Sequence, residues 1–326
     1  MGRVNWFPGH MAKARRVVTE YLKYVDVVLE VLDARAPYAS RNPEIDGLLG
    51  SRPRLIILNK ADLADPRLTE AWAKLLRSQG WSAGPVNSQN GEGVRAVVQA
   101  AHALAGPDLK RALATGGEGR RPWRRLSLMV VGIPNVGKSS LINRLGDRGR
   151  GSRNLTAVPE RDDGGPKYGR PGRSYQQKLV RTGALPGVTR GHQWIQVGKY
   201  LRLLDLPGIL WPRLEDPHVQ ETLAFVGAIR EETYDAERLA GRLLAVMAEV
   251  RPGVLTDRYG LAAAPVAREE TLTRLAEVKR CLLDNGRPDL YRAAVMVLTD
   301  FREGRLGRIS LEDPAEYGRF FAPRAD

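Results

Sequence analysis

One stretch, GIPNVGKSS at residues 132–140, constrains this chain more than any other. It follows the apolar run SLMVV and precedes SLINRL, so it reads as a strand, a glycine loop and the start of a helix. A loop of the form G-x-x-x-x-G-K-[ST] in that setting has a definite chemistry. Gly132 and Gly137 let backbone N–H groups approach phosphate oxygens, Lys138 brings positive charge to the outer phosphates, and the Ser139 hydroxyl can ligate Mg²⁺. Asn135, Val136 and Ser140 complete the expected contacts of the loop with a nucleotide.

A phosphate loop does not choose a base. NKAD, residues 59–62, follows the apolar run LIIL and supplies a reader. The Asp62 carboxylate can accept from guanine N1–H and the exocyclic amine together, a pairing adenine does not offer. Asn59 is expected at the acceptor edge of the ring, the stem of Lys60 over its plane, and Ala61 in the same loop. VNSQNGEG, residues 86–93, comes next after a weak strand and before a helix. Its Ser88 N–H is the expected donor to the guanine carbonyl, with Asn87 beside it. Further on, PGVTRG offers Thr189, and DLPG at 205–208 offers Asp205 for the Mg²⁺ shell and the Gly208 N–H for a γ-phosphate. Where many GTPases place a water-orienting Gln, this chain has Ile209, so another group must position the attacking water or hydrolysis is slow.

Apolar runs alternate with helical or polar intervals: VDVVLEVLD, PRLIILN, WSAGPVN, RLSLMVVG and YLRLLDLPG. This predicts an α/β fold with a parallel sheet covered on both faces. Residues 10–24 predict an amphipathic helix burying Val17, Val18, Tyr21 and Leu22. The expected organisation is a nucleotide-binding domain over 1–212 and an all-helical domain over 213–326. The first consists of a half at 1–105, a Gly/Pro/Arg-rich linker at 106–125 and a half at 126–212 with a mobile insertion at 147–181. In the second, helices are expected over DAERLAGRLLAVMAEV, EETLTRLAEVKRCLLD and PDLYRAAVMVLTDFRE, with Cys281 as a buried helix residue. One cysteine excludes an internal disulfide framework. The net charge of +14 divides into +17 over residues 1–212 (34 basic, 17 acidic) and −3 over 213–326 (17 basic, 20 acidic). A regional basic excess fits a polyanionic partner. No apolar stretch approaches membrane-span length and the N-terminus lacks a signal-peptide core, so a cytoplasmic location with no membrane partner is expected.

The order NKAD, VNSQNG, GIPNVGKSS, PGVTRG, DLPGIL is a circular shift of the usual GTPase order. Together with WFPGHMAKA at 6–14, DARAP at 33–37 and GRLGRIS near the C-terminus, it closely resembles the ribosome biogenesis GTPase A family, the YlqF-type circularly permuted GTPases. The resemblance implies a Ras-like P-loop GTPase domain with permuted motif order, followed by a helical RNA-contacting domain. It further implies GTP hydrolysis in late maturation of the large ribosomal subunit, with the precursor particle and its rRNA as partners of a monomeric protein. His10 of WFPGHMAKA is implied as the catalytic group that orients water; His192, three residues after Thr189, is a less favoured alternative that no motif of the family supports. Asn135 resembles the residue that ligates K⁺ in cation-stimulated GTPases. Arg302, Arg305 and Arg308 are the candidate RNA contacts in the helical domain. Two other readings are a GTP-gated RNA-binding switch with negligible turnover and, ranked below it, a GTP-dependent tRNA-processing factor.

Overall fold

A computed structural model describes residues 16–105, 125–148, 193–197, 201–205, 216–251, 253–261 and 268–317. His10, Thr189, His192, Gly208 and Ile209 lie outside them, as do nearly all of the linker at 106–125 and of the insertion at 147–181.

A six-stranded sheet is built from β1 (Val27–Asp33), β2 (Arg54–Asn59), β3 (Ser82–Val86), β4 (Leu126–Val131), β5 (Gln193–Val197) and β6 (Leu201–Asp205), in the order β3-β2-β1-β4-β6-β5. The two halves of the sequence meet where β1 pairs in parallel with β4, from Val27 opposite Leu128 to Glu30 opposite Val131. Being central, β1 is buried at all seven positions. Five strands run parallel as expected, but β5 is antiparallel to β6. QWIQV, with two Gln in five residues, carries too little apolar signal to be read as a strand. Only three residues separate it from β6, a connection too short for a parallel crossover.

Alternate side chains sort to opposite faces. Leu29, Val31, Ile57, Leu128 and Val130 pack with Val94, Val97 and Ala101 of α3 (Val94–Leu104) and Leu141, Ile142 and Leu145 of α4 (Lys138–Arg148). On the other face Val28, Met129 and Leu204 meet Val18, Tyr21 and Leu22 of the helical stretch at 16–22, and Leu32, Ile56 and Leu58 meet Trp72, Ala73 and Leu76 of α2 (Pro66–Ser78). The short helix α1 (Glu44–Leu49) lies between β1 and β2 in sequence.

Beyond residue 216 the chain is helical: α5 (Pro217–Phe225), α6 (Ala236–Val250), α7 (Val254–Tyr259), α8 (Arg268–Val278) and α9 (Leu290–Arg302). Leu239, Leu243, Leu244 and Met247 of α6 are buried with Leu272, Leu275, Val297 and Phe301. α8 stops at Val278 rather than running to residue 284. Arg280 takes φ 53°, a left-handed conformation that ends an L-residue helix, and a Leu282–Pro288 bridge turns the chain back. Cys281 is therefore buried in a turn, not in a helix. After α9 the segment 306–317 leaves the helices and returns to the sheet, where Tyr317 stacks on Tyr38 at 4.4 Å between ring centroids. Among the described residues no helix is long and apolar enough to cross a membrane.

A candidate nucleotide site at the ends of the parallel strands

In a parallel sheet the loops that follow the strands gather at one edge. Here that edge collects DARAP after β1, NKAD after β2, VNSQNG after β3, GIPNVGKSS after β4 and Asp205 at the end of β6. Motifs more than seventy residues apart in sequence thereby become neighbours.

The glycine loop needs its glycines for space. At Gly137, φ 93°, an added Cβ would stand 2.2 Å from Asn59 Nδ2; at Gly132 it would stand 2.5 Å from the Val31 carbonyl oxygen. The close approach at Gly137 reflects a link between loops. Asn59 Nδ2 donates to the Val136 carbonyl at 2.7 Å, and its Oδ1 accepts from the Ser88 hydroxyl at 2.7 Å. Both polar atoms of Asn59 thus tie the loops together, and Nδ2 keeps a second hydrogen for the acceptor edge of a base. Asn87 is a loop builder of the same kind: its Oδ1 accepts from the Gln89 and Asn90 N–H groups at 2.8 and 3.2 Å. The Ser88 N–H has no acceptor among the described residues.

Lys138 begins α4 and donates from Nζ to the Ile133 carbonyl at 2.7 Å. Burial brings its ammonium down to about 8, with Asp205 opposing that fall and Lys60 adding to it. Asp205 is fully buried, and neither carboxylate oxygen has a hydrogen-bond partner among the described residues. Burial pushes it up to about 6 against the attraction of Lys138. A buried carboxylate without donors is costly; one that feels the charge of the P-loop lysine and keeps both oxygens unmatched is a fit for a divalent cation. Asp62 is half-buried and accepts no hydrogen bond from a described residue.

Lys60 sits at φ 58° and its Nζ pairs with Asp33 at 2.9 Å. Asp33 in turn takes the Arg35 guanidinium through Nε at 2.9 Å and Nη2 at 2.8 Å. Burial opposes the Asp33 charge, yet Arg35 and Lys60 outweigh it and hold the carboxyl well below the usual range. For Lys60, burial prevails over the attraction of Asp33 and lowers the ammonium. Arg35 continues into the helical region, donating from Nη1 to the Phe301 carbonyl at 3.1 Å. Sequence reasoning assigns Asp33 and Arg35 no role, although an Asp ending a strand apolar but for Glu30, two residues before an Arg, is the available signal.

The helical region reaches the P-loop as well. Asn135, at φ 61°, donates from Nδ2 to the Gly227 carbonyl at 2.6 Å. Arg302, Arg305 and Arg308 do not form an open basic patch. Arg302 donates to the Ala224 and Phe225 carbonyls and pairs with Glu231, Arg305 pairs with Asp300 and Glu303, and Arg308 donates to the Ala61 and Ala64 carbonyls.

A family model described as "50S ribosome-binding GTPase" matches residues 127–159. The chain is similar to Ribosome biogenesis GTPase A of Bacillus cereus, with 39% identity over 97% of this chain and 95% of that one. It is 38% identical to Ribosome biogenesis GTPase A of Priestia megaterium over 96% of this chain and 98% of that one. The mouse Mitochondrial ribosome-associated GTPase 1 is 33% identical over 94% of this chain and 90% of its own. Among solved structures, the GDP-bound structure of YlqF superposes with a TM-score of 0.58 at 24% identity, covering 92% of this chain and all of that one, a likeness of fold.

Proposed function

The chain belongs to the ribosome biogenesis GTPase A family, a GTPase with a role in ribosome assembly, and from that premise we propose that it acts in late maturation of the large ribosomal subunit. In its GTP form it binds the precursor particle; the particle stimulates hydrolysis, and the GDP form leaves. It works in the cytoplasm as a monomer. The observation that carries this reading is the Asn59 link, which ties base loop, Ser88 loop and P-loop into one site.

Within it Asp62 reads the guanine N1–H and amine, the Ser88 N–H meets the guanine carbonyl, and Lys60 and Ala61 line the base. Asn59 and Asn87 hold the loops in register. The backbone from Asn135 to Ser140 and the Lys138 ammonium bind the phosphates, with Gly208 at the γ-phosphate. Ser139, Thr189 and Asp205 would hold Mg²⁺, which supplies Lewis-acid neutralisation of phosphate charge. His10 orients the attacking water in place of the absent Gln, and Asn135 contributes to a K⁺ site.

The rRNA surface lies where α8 turns into α9. The side chains of Arg280, Arg287 and Arg292 are exposed and unpaired among the described residues, and Tyr291, next to Arg292 in sequence and 60% exposed, offers a stacking platform. Single-turnover GTP hydrolysis with and without purified precursor subunit tests the proposal. Acceleration that His10→Ala abolishes supports it; equal rates favour a switch without significant turnover. Asp62→Asn shifts preference from GTP to xanthosine triphosphate, and equal rates in NaCl and KCl would remove K⁺.

A further inference from the structure

The loop that carries Asp62 is fastened from outside the sheet, by the segment that follows α9. Arg308 Nη2 donates to the Ala61 carbonyl at 2.9 Å, and its Nε donates to the Ala64 carbonyl at 2.9 Å. One guanidinium therefore spans the residue before Asp62 and the second residue after it. Next to it the Ile309 N–H donates to the Leu63 carbonyl at 2.9 Å, and the Asp65 N–H donates to the Ser310 hydroxyl at 3.1 Å. On its other side the loop is tied by the Ala61 N–H to the Val86 carbonyl and by the Asp65 carboxylate, which caps α2 through Arg67 and Leu68.

The fastening segment is itself anchored. Ile309, Ser310 and Glu312 are buried, the Leu311 N–H donates to the Arg35 carbonyl at 2.8 Å, and the Glu312 carboxylate accepts from the Tyr38 and Ala39 N–H groups at 2.6 and 2.9 Å. Bidentate guanidinium contacts are geometrically selective, so they fix the loop's path rather than merely hold it nearby. A carboxylate that must meet two guanine donors at once depends on that path to a fraction of an ångström.

We infer that Arg308, Ile309 and Ser310 are positioning residues for guanine recognition. The strength with which the site discriminates guanine depends on the docking of residues 308–312, and guanine nucleotide tightens that docking in return. The inference rests on the reading of Asp62 as the base contact. It gives the helical region a hold on the base end of the nucleotide, separate from the phosphate-sensing strand.

The test compares dissociation constants for GDP and inosine diphosphate, which lacks the exocyclic amine, in the full chain and its variants. Arg308→Ala is expected to weaken GDP by about tenfold and inosine diphosphate by less, so that the ratio between them shrinks. Arg308→Lys, which reaches one carbonyl at a time, recovers part of it. A structural role alone would lower the melting temperature and leave the ratio unchanged; an unchanged ratio in Arg308→Ala while Asp62→Asn reduces it overturns the inference and spares the base assignment. An unchanged ratio in Asp62→Asn removes the base assignment itself and the inference with it. Should Arg308→Ala not fold, hydrogen exchange in the unaltered protein decides. At equal saturation the Ile309 and Asp65 amides exchange more slowly with GDP than with inosine diphosphate, relative to amides of β1, and equal protection contradicts the inference.

Discussion

Asp33 and Asp205 end neighbouring regions of the same sheet, one in each half of the permuted sequence, and both are fully buried. Asp33 is met by Arg35 and Lys60 at 2.8–2.9 Å and stays ionised. Asp205 has no donor among the described residues and is pushed up to about 6. The protein completes the first carboxylate with its own cations and leaves the second to something it binds. One end of the site is thus assembled in advance, around the base loop; the other is assembled with nucleotide and cation, where hydrolysis can undo it.

Removing Asp33 should have the largest effect on stability. Asp33→Ala leaves the buried Arg35 and the partly exposed Lys60 without their counter-ion, which costs ~3 kcal/mol, read as a lower urea midpoint. Asp205→Asn should do the opposite. In protein without nucleotide at pH 7, relief of a rise from 3.8 to about 6 is worth up to ~3 kcal/mol, less what Lys138 loses, while Mg²⁺-dependent hydrolysis is abolished. The sign follows from linkage: a raised carboxyl contributes its stability below about 4 and loses it as pH climbs through about 6, so the gain from Asn vanishes in acid. Equal destabilisation by both substitutions would break the contrast.

Weaker effects sharpen it. Arg292→Ala and Arg287→Ala should each lower the salt dependence of precursor binding by about one ion, without changing GTP affinity. Glu312 holds the fastening segment and burial pushes it up to about 8, against its two backbone donors. Its contribution is therefore full below about 4.5 and lost as pH rises through about 8. Glu312→Gln should flatten this pH dependence in urea titrations and cost ~1 kcal/mol in acid, since one N–H loses its acceptor.

The motifs were legible because each combines a strand with a loop of unusual residue types, and their order alone announced the permutation. What tertiary contacts decide was not. Whether an arginine is free depends on which carbonyls reach it, and so Arg302, Arg305 and Arg308 are engaged within the protein while Arg280, Arg287 and Arg292 are unpaired among the described residues. Asn59 carries the amide expected of a base reader, but its nearest partners, Val136 and Ser88, sit 77 and 29 residues away in sequence. QWIQV was missed because an edge strand beside a hairpin partner needs little apolar content.

The contrast between the two carboxylates is tested most directly by calorimetric titration of GDP into the protein and into Asp205→Asn, each with and without Mg²⁺. Mg²⁺ should tighten GDP binding by about tenfold in the unaltered protein and leave Asp205→Asn unmoved. Equal Mg²⁺ enhancement in both proteins would contradict the account, because Asp205 would then be a buried charge that its ligand does not complete.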